Sequence, residues 1–135
     1  TASAVVNGPG RFGKRVIDAF GVGDRYTYEQ RDVVADAPVP TDFLICQEVV
    51  EHIEDPLSSL KALCAMVVPG GHAYITAAVT AGQSDHIYLF WNPAEVRELL
   101  EAAGFSIILE RTEGAASANV VETAPRVSCF LCQRS

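Results

Sequence analysis

The chain has 135 residues, ten Lys+Arg against seventeen Asp+Glu, a formal charge of −7, 49% apolar and 20% charged residues. That length suits a single domain over residues 1–135, with a core burying roughly two-thirds of the unfolded surface and needing no disulfide or metal staple. The acidic balance and the lack of any basic run of five argue against a nucleic-acid partner, and no apolar stretch reaches the roughly 18–20 residues of a membrane span.

Thr1–Gly10 lacks the basic start and long apolar stretch of a secretory signal. With Thr first and Met66 as its sole methionine, the sequence reads as a processed chain or as part of a longer protein. The first element is a helix over Arg11–Phe20, with Phe12, Val16, Ile17 and Phe20 on one face and Gly21 as its stop. Tyr26–Val34 is rich in β-formers, and Ala35–Pro40 is a Pro-containing loop. Phe43–Gln47 is a continuous apolar run, the pattern of a strand buried on both faces of a parallel sheet.

Asp55-Pro56 predicts a helix start, with Asp as N-cap and Pro at the first helical position. Leu57, Leu60, Leu63, Cys64 and Val67 form its apolar stripe, and Pro69-Gly70-Gly71 ends it. His72–Val79 is the next strand, and Ala81–Phe90 is a loop. Asn92-Pro93-Ala94-Glu95 predicts a second capped helix, stopped by Gly104. Phe105–Arg111 and Arg126–Cys132 follow as strands, joined by the small, polar segment Glu113–Ala124, which is expected to be mobile. Cys129 and Cys132 form a CxxC, but positions i and i+3 of a strand face opposite ways, so their sulfurs diverge. All four cysteines are expected as reduced residues of a cytoplasmic protein.

Alternating strands and helices predict an α/β fold with a mostly parallel sheet, and the last two strands, lacking a helix between them, an antiparallel pair. Ligands of such sheets bind beyond the carboxyl ends of the strands. Asp32–Ala35, Gln47–Asp55 and Val79–Trp91 are therefore expected to meet there.

The runs DFLICQEVVEHIEDP (Asp42–Pro56), PGG (Pro69–Gly71) and DHIYLFWNPAEVRELLEAAGF (Asp85–Phe105) resemble the C-terminal half of a class I S-adenosylmethionine-dependent methyltransferase. The resemblance covers roughly residues 26–112 and implies a Rossmann-like, methyltransferase-type fold with a C-terminal antiparallel strand. It implies S-adenosylmethionine as cofactor, with Asp32 at the adenine-contacting position, Val33 beside it, and Gln47 against the methionine end. It further implies methyl transfer to an O or N of a small molecule. Alignment of the methyl acceptor behind the sulfonium methyl is the main demand on the protein.

About 25 residues precede Tyr26, too few for two full βα units, so the domain reads as N-terminally abbreviated. Two alignments compete. In the favoured one, Arg11–Phe20 is the helix before the family's third strand, and the first two units are absent. In the other, Ala4–Asn7 is a stub of the first strand and Gly8-Pro9-Gly10-Arg11-Phe12-Gly13 is a GxGxxG cofactor loop, with Gly8 and Gly10 at the cofactor and Glu29 nineteen residues after Gly10.

Glu48, Glu51 and His52 stand at i, i+3 and i+4, so one helical turn points them the same way, and His86 comes from the loop at the same sheet edge. Two carboxylates and two imidazoles make a mixed N/O divalent site. The pattern is similar to that of ubiquinone-pathway O-methyltransferases and small-RNA 2′-O-methyltransferases, where it implies a metal gripping a vicinal diol. Without metal, His52 is the candidate general base with Glu51 beside it; the plain alternative is a His52–Glu51 or His52–carbonyl hydrogen bond. Tyr88, Phe90 and Trp91 read either as pocket lining or as packing. Two rivals to an active methyltransferase remain. One is a non-catalytic or incomplete module acting as a partner subunit or homo-oligomer; the other is a dinucleotide oxidoreductase suggested by VVNGPGRFG and Glu29.

Overall fold

The computed structural model describes residues 2–5, 11–29, 31–114 and 124–135. Gly8 and Gly10 lie outside them, as does most of the Glu113–Ala124 segment. The chain forms two compact units, residues 1–37 and 38–135.

The first unit is a βαβ element. Strand β1 (Ala2–Val5) pairs in parallel with β2 (Tyr26–Glu29), from Ala2 opposite Tyr26 to Val5 opposite Glu29, with helix α1 (Arg11–Phe20) between them. Strand β2 covers Tyr26–Glu29, and Asp32, expected to close it, lies beyond it in a turn. Asp32 competes with the ladder: its Oδ1 accepts the N–H groups of Val34 (2.9 Å) and Ala35 (3.0 Å), and its own N–H donates to Asp36 Oδ2 (2.9 Å). A short carboxylate that satisfies its own backbone folds the chain into a turn. Val16 and Phe20, expected on a buried helical face, are exposed. A two-stranded ribbon offers little area to cover them.

The second unit holds a four-stranded sheet of order β3-β4-β6-β5, built from β3 (Thr41–Gln47), β4 (Val67–Val79), β5 (Phe105–Gly114) and β6 (Arg126–Arg134). Strands β3 and β4 are parallel, and β6 runs antiparallel to both β4 and β5. The α/β fold with an antiparallel C-terminal strand is therefore the one expected. Helices α2 (Pro56–Met66) and α3 (Pro93–Ala102) start at the predicted caps. Asp55 Oδ1 accepts the N–H of Ser58 at 3.0 Å, and Asn92 Oδ1 accepts that of Glu95 at 3.1 Å.

Other boundaries differ as well: β5 runs on to Gly114 and β6 to Arg134. Val67 belongs to β4, not to the helical stripe, and the strand continues through Pro69-Gly70-Gly71 with a register slip between Thr41 and Phe43 on its partner. Glycine is required in that slip. Gly70 has φ +76°, and a Cβ on Gly71 would stand 2.9 Å from Asp42 O, Val67 Cγ1 and Val68 O.

Leu60, Val67, Ile75, Val79, Phe90, Val96, Leu100 and Phe130 are fully buried and make the core of this unit. Each contributes about 1.5–3 kcal/mol through removal of apolar surface from water. Among the described residues of this unit β3 pairs only with β4, and Phe43 and Ile45 on its other face are 51% and 64% exposed. Its apolar run had suggested a strand covered on both faces, whereas the described residues of this unit cover one. Cys129 and Cys132 point to opposite faces, Cys132 buried and Cys129 half-buried, and all four cysteines are free thiols. Among the described residues no helix is long and apolar enough to cross a membrane.

Candidate active site and cation site

The carboxyl ends of β3 and β4 carry the polar side chains picked out by the sequence. After Gln47 the chain turns sharply at Glu48, whose φ is +50°, and enters a single 3-10 turn, Val50–His52. A non-glycine residue in that region costs about 1–3 kcal/mol and persists only where its surroundings hold it. At the end of β4, Thr80 is a second such residue, with φ +55°. Its N–H donates to Phe90 O at 2.7 Å and its hydroxyl to Ala124 O at 2.5 Å. The first of these bonds ties down the far end of the loop that carries His86, and the second holds Ala124, just before β6.

That loop is also tied to the 3-10 turn, because Ile87 N–H and Tyr88 N–H both donate to Glu51 O at 2.9 Å. Gln47–Asp55 and Val79–Trp91 therefore meet as expected. Asp32–Ala35, with Asp32 and Val33, lies in the first unit, and Gln47 ends β3 in the second. Asp32 uses Oδ1 for its own turn, while Oδ2 takes no part in it.

Glu51, His52 and His86 converge, with candidate ligand atoms all within 4.8 Å of one another. Glu51 is completely buried. Its Oε1 accepts a long hydrogen bond from Ala78 N–H (3.4 Å), and Oε2 is buried with no partner. Burial pushes the Glu51 carboxyl above its ordinary range, and the nearby negative charge of Glu48 pushes it the same way; its own backbone N–H and that of Ala78 pull back. A buried oxygen without a donor is a costly arrangement that a cation would relieve.

The imidazoles are set up alike. His52 Nδ1 lies 2.8 Å from Asp85 O, and His86 Nδ1 lies 2.6 Å from Ala81 O. A carbonyl oxygen only accepts, so each Nδ1 carries the proton and, in the neutral ring, each Nε2 keeps its lone pair. The Asp85 carboxylate adds a second acceptor 3.8 Å from His52 Nδ1. Histidines that bind a metal commonly have such an acceptor behind the other ring nitrogen.

Glu48, the fourth residue of the predicted set, is not in this cluster. Its Oε1 accepts from Thr76 Oγ1 at 2.8 Å. Thr76 was not singled out by the sequence; its signal there is a lone hydroxyl within the apolar stretch Ile75–Val79. The aromatic trio divides. Phe90 is core, whereas Tyr88 and Trp91 are exposed on the loop, Trp91 at 63%.

No family model matches the chain. Over 77 residues it is 35% identical to the ubiquinone biosynthesis O-methyltransferase of Vibrio cholerae and 34% identical to that of Vibrio vulnificus. The Vibrio cholerae match takes in 55% of this chain and 30% of the relative, so the chain spans under a third of the length of the curated relatives it matches. Among solved structures, the [4+2]-cyclase SpnF superposes with a TM-score of 0.81 at 10% identity, over 98% of this chain and 65% of that one. The N-methyltransferase NodS of Bradyrhizobium japonicum, in complex with S-adenosylhomocysteine, gives 0.74 at 16% identity, again over 98% and 65%. Over 77 residues the chain is thus similar in sequence to ubiquinone biosynthesis O-methyltransferases, and over 98% of its length it shares the fold of these solved structures.

Proposed function

We propose that this chain serves S-adenosylmethionine-dependent methyl transfer to an oxygen or nitrogen of a small molecule, with a divalent cation held by Glu51, His52 and His86. The kinship to O- and N-methyltransferases supports the reaction class. The observation that carries the site is the buried Glu51 carboxylate, one oxygen of which has no partner, gathered with two histidines whose Nδ1 atoms are already committed.

One carboxylate and two imidazole nitrogens are a donor set suited to a borderline divalent ion. Such an ion supplies Lewis acidity, which lowers the cost of deprotonating a bound hydroxyl. S-adenosylmethionine, when bound, supplies an electrophilic methyl on a sulfonium. The chain's own share is orientation and proton handling. Asp32, through Oδ2, and Val33 are the residues proposed for the adenine end, and Gln47 for the methionine end. With no cation, His52, through Nε2, is the residue proposed to take a proton from the acceptor, with Glu51 beside it. Gly8 and Gly10 keep their proposed cofactor role from sequence alone.

A second reading has its own support. It is a non-catalytic or incomplete module acting as a partner subunit, and what supports it is that the chain spans under a third of the length of the curated relatives it matches. Thermal shift separates the readings. S-adenosylmethionine raises the Tm of an active chain, NAD(P) would do so for an oxidoreductase, and neither stabilises an incomplete module. Mn²⁺ titration of the wild type against Glu51→Ala tests the cation; no saturable heat in the wild type removes it.

A further inference from the structure

Thr76 sits in β4 opposite Gln47, the last residue of β3, and is 3% exposed. Its hydroxyl uses both of its capacities on one residue. Oγ1 accepts the Glu48 N–H at 3.1 Å and donates to Glu48 Oε1 at 2.8 Å, while Thr76 O takes the same N–H at 3.3 Å. Glu48 is the residue held in the left-handed region at φ +50°. Thr76 thus supplies three contacts to this residue, and a strained φ persists only when its surroundings determine it. The neighbours of Thr76 along β4 are Ile75, Ala77 and Ala78, so packing alone asks for no hydroxyl at this place. A buried hydroxyl has to find partners, and here they are the N–H and carboxylate of Glu48.

The turn at Glu48 decides where the next residues go. Two residues later the 3-10 turn begins, and it presents Glu51 and His52 to His86. We propose that Thr76 is a positioning residue of the cation site. It never meets the cation; it fixes the left-handed turn at Glu48 and thereby the placement of Glu51 and His52. This rests on the cation reading above.

The test uses Thr76→Val, Thr76→Ser, Glu48→Gly and the Thr76→Val/Glu48→Gly double variant of the chain. In Mn²⁺ calorimetry, Thr76→Val is expected to weaken binding by about tenfold, the scale for losing an orienting partner behind a metal ligand. Thr76→Ser, which keeps the hydroxyl, restores most of it. In chelator-containing buffer, Thr76→Val lowers Tm by a few degrees, and adding Glu48→Gly regains part of that loss, because glycine adopts the left-handed conformation unaided. Wild-type Mn²⁺ affinity in Thr76→Val overturns the positioning role and leaves the cation reading standing. Additive Tm changes in the double variant overturn the hold on Glu48. A wild type that takes up no Mn²⁺ removes the cation reading and the positioning role together, while the Tm cycle still decides whether Thr76 holds the turn.

Discussion

His52 and His86 meet edge to face, their ring centroids 4.8 Å apart and their planes 88° from parallel. Each ring spends Nδ1 on a backbone carbonyl, Asp85 O or Ala81 O. The pair is therefore oriented before any ligand arrives, and little ordering cost remains to be met on binding. Two loops would otherwise have to be brought together at that step.

Removing one ring should separate binding from folding. His86 is half-buried on a loop, so His86→Ala is expected to leave Tm nearly unchanged and to weaken Mn²⁺ binding by about tenfold or more. Calorimetry and a thermal melt on the same sample check both halves. A fall in Tm with unchanged Mn²⁺ affinity would mean that the ring is packing only.

Glu51 gives the opposite balance. Its carboxyl is buried with one oxygen unpaired, an arrangement unfavourable to the fold by itself. Glu51→Gln keeps the shape and removes the charge. In metal-free buffer its Tm should equal or exceed that of the wild type, while Mn²⁺ uptake is lost. Differential scanning calorimetry reads the first outcome; a drop of several degrees would show that Glu51 is a structural carboxylate.

The start of α2 supplies a pH prediction. The hydroxyl and N–H of Ser58 donate to the Asp55 carboxylate, at 2.6 and 3.0 Å, and hold its pKa below the usual value. A carboxyl with a depressed pKa in the folded state stabilises above its unfolded pKa, and the benefit disappears as pH falls through the folded value. Asp55→Ala should thus lower Tm by a few degrees at neutral pH, with the gap to wild type closing below about pH 4. A gap independent of pH would contradict the charged cap.

Cysteine reactivity follows burial. The thiols of Cys46 and Cys132 are pushed up to about 12 by burial, with the charge of Glu51 adding at Cys46 and Cys64 at Cys132. At pH 8 only about one in ten thousand of such thiols is ionised, and the thiolate is the nucleophile. Iodoacetamide at pH 8 is expected to leave both unmodified in the native chain, by peptide mass mapping, and to label both once the chain is unfolded.

What the sequence carried was mostly local. Asp55-Pro56 and Asn92-Pro93 with Glu95 announced α2 and α3, because a cap and its N–H donor lie three residues apart. Glu51, His52 and His86 were legible as residue types at a known sheet edge. The ring orientation was not, since it depends on the carbonyls of Asp85 and Ala81, and any residue offers a carbonyl. Thr76 was equally hidden, because its bond to Glu48 spans 28 residues. The Pro69-Gly70-Gly71 run looked like a break between elements and became part of β4. Its glycines admit the slip that lets the strand start at Val67. Phe90 and Trp91, adjacent and alike in composition, went to the core and to the surface; only tertiary packing chooses between them.

The central claim is tested most directly by titrating S-adenosylhomocysteine into the chain in a calorimeter, with and without Mn²⁺. Saturable, one-to-one binding is expected. An absence of saturable heat at any attainable concentration, from a chain that melts cooperatively, would contradict methyl transfer by this chain on its own.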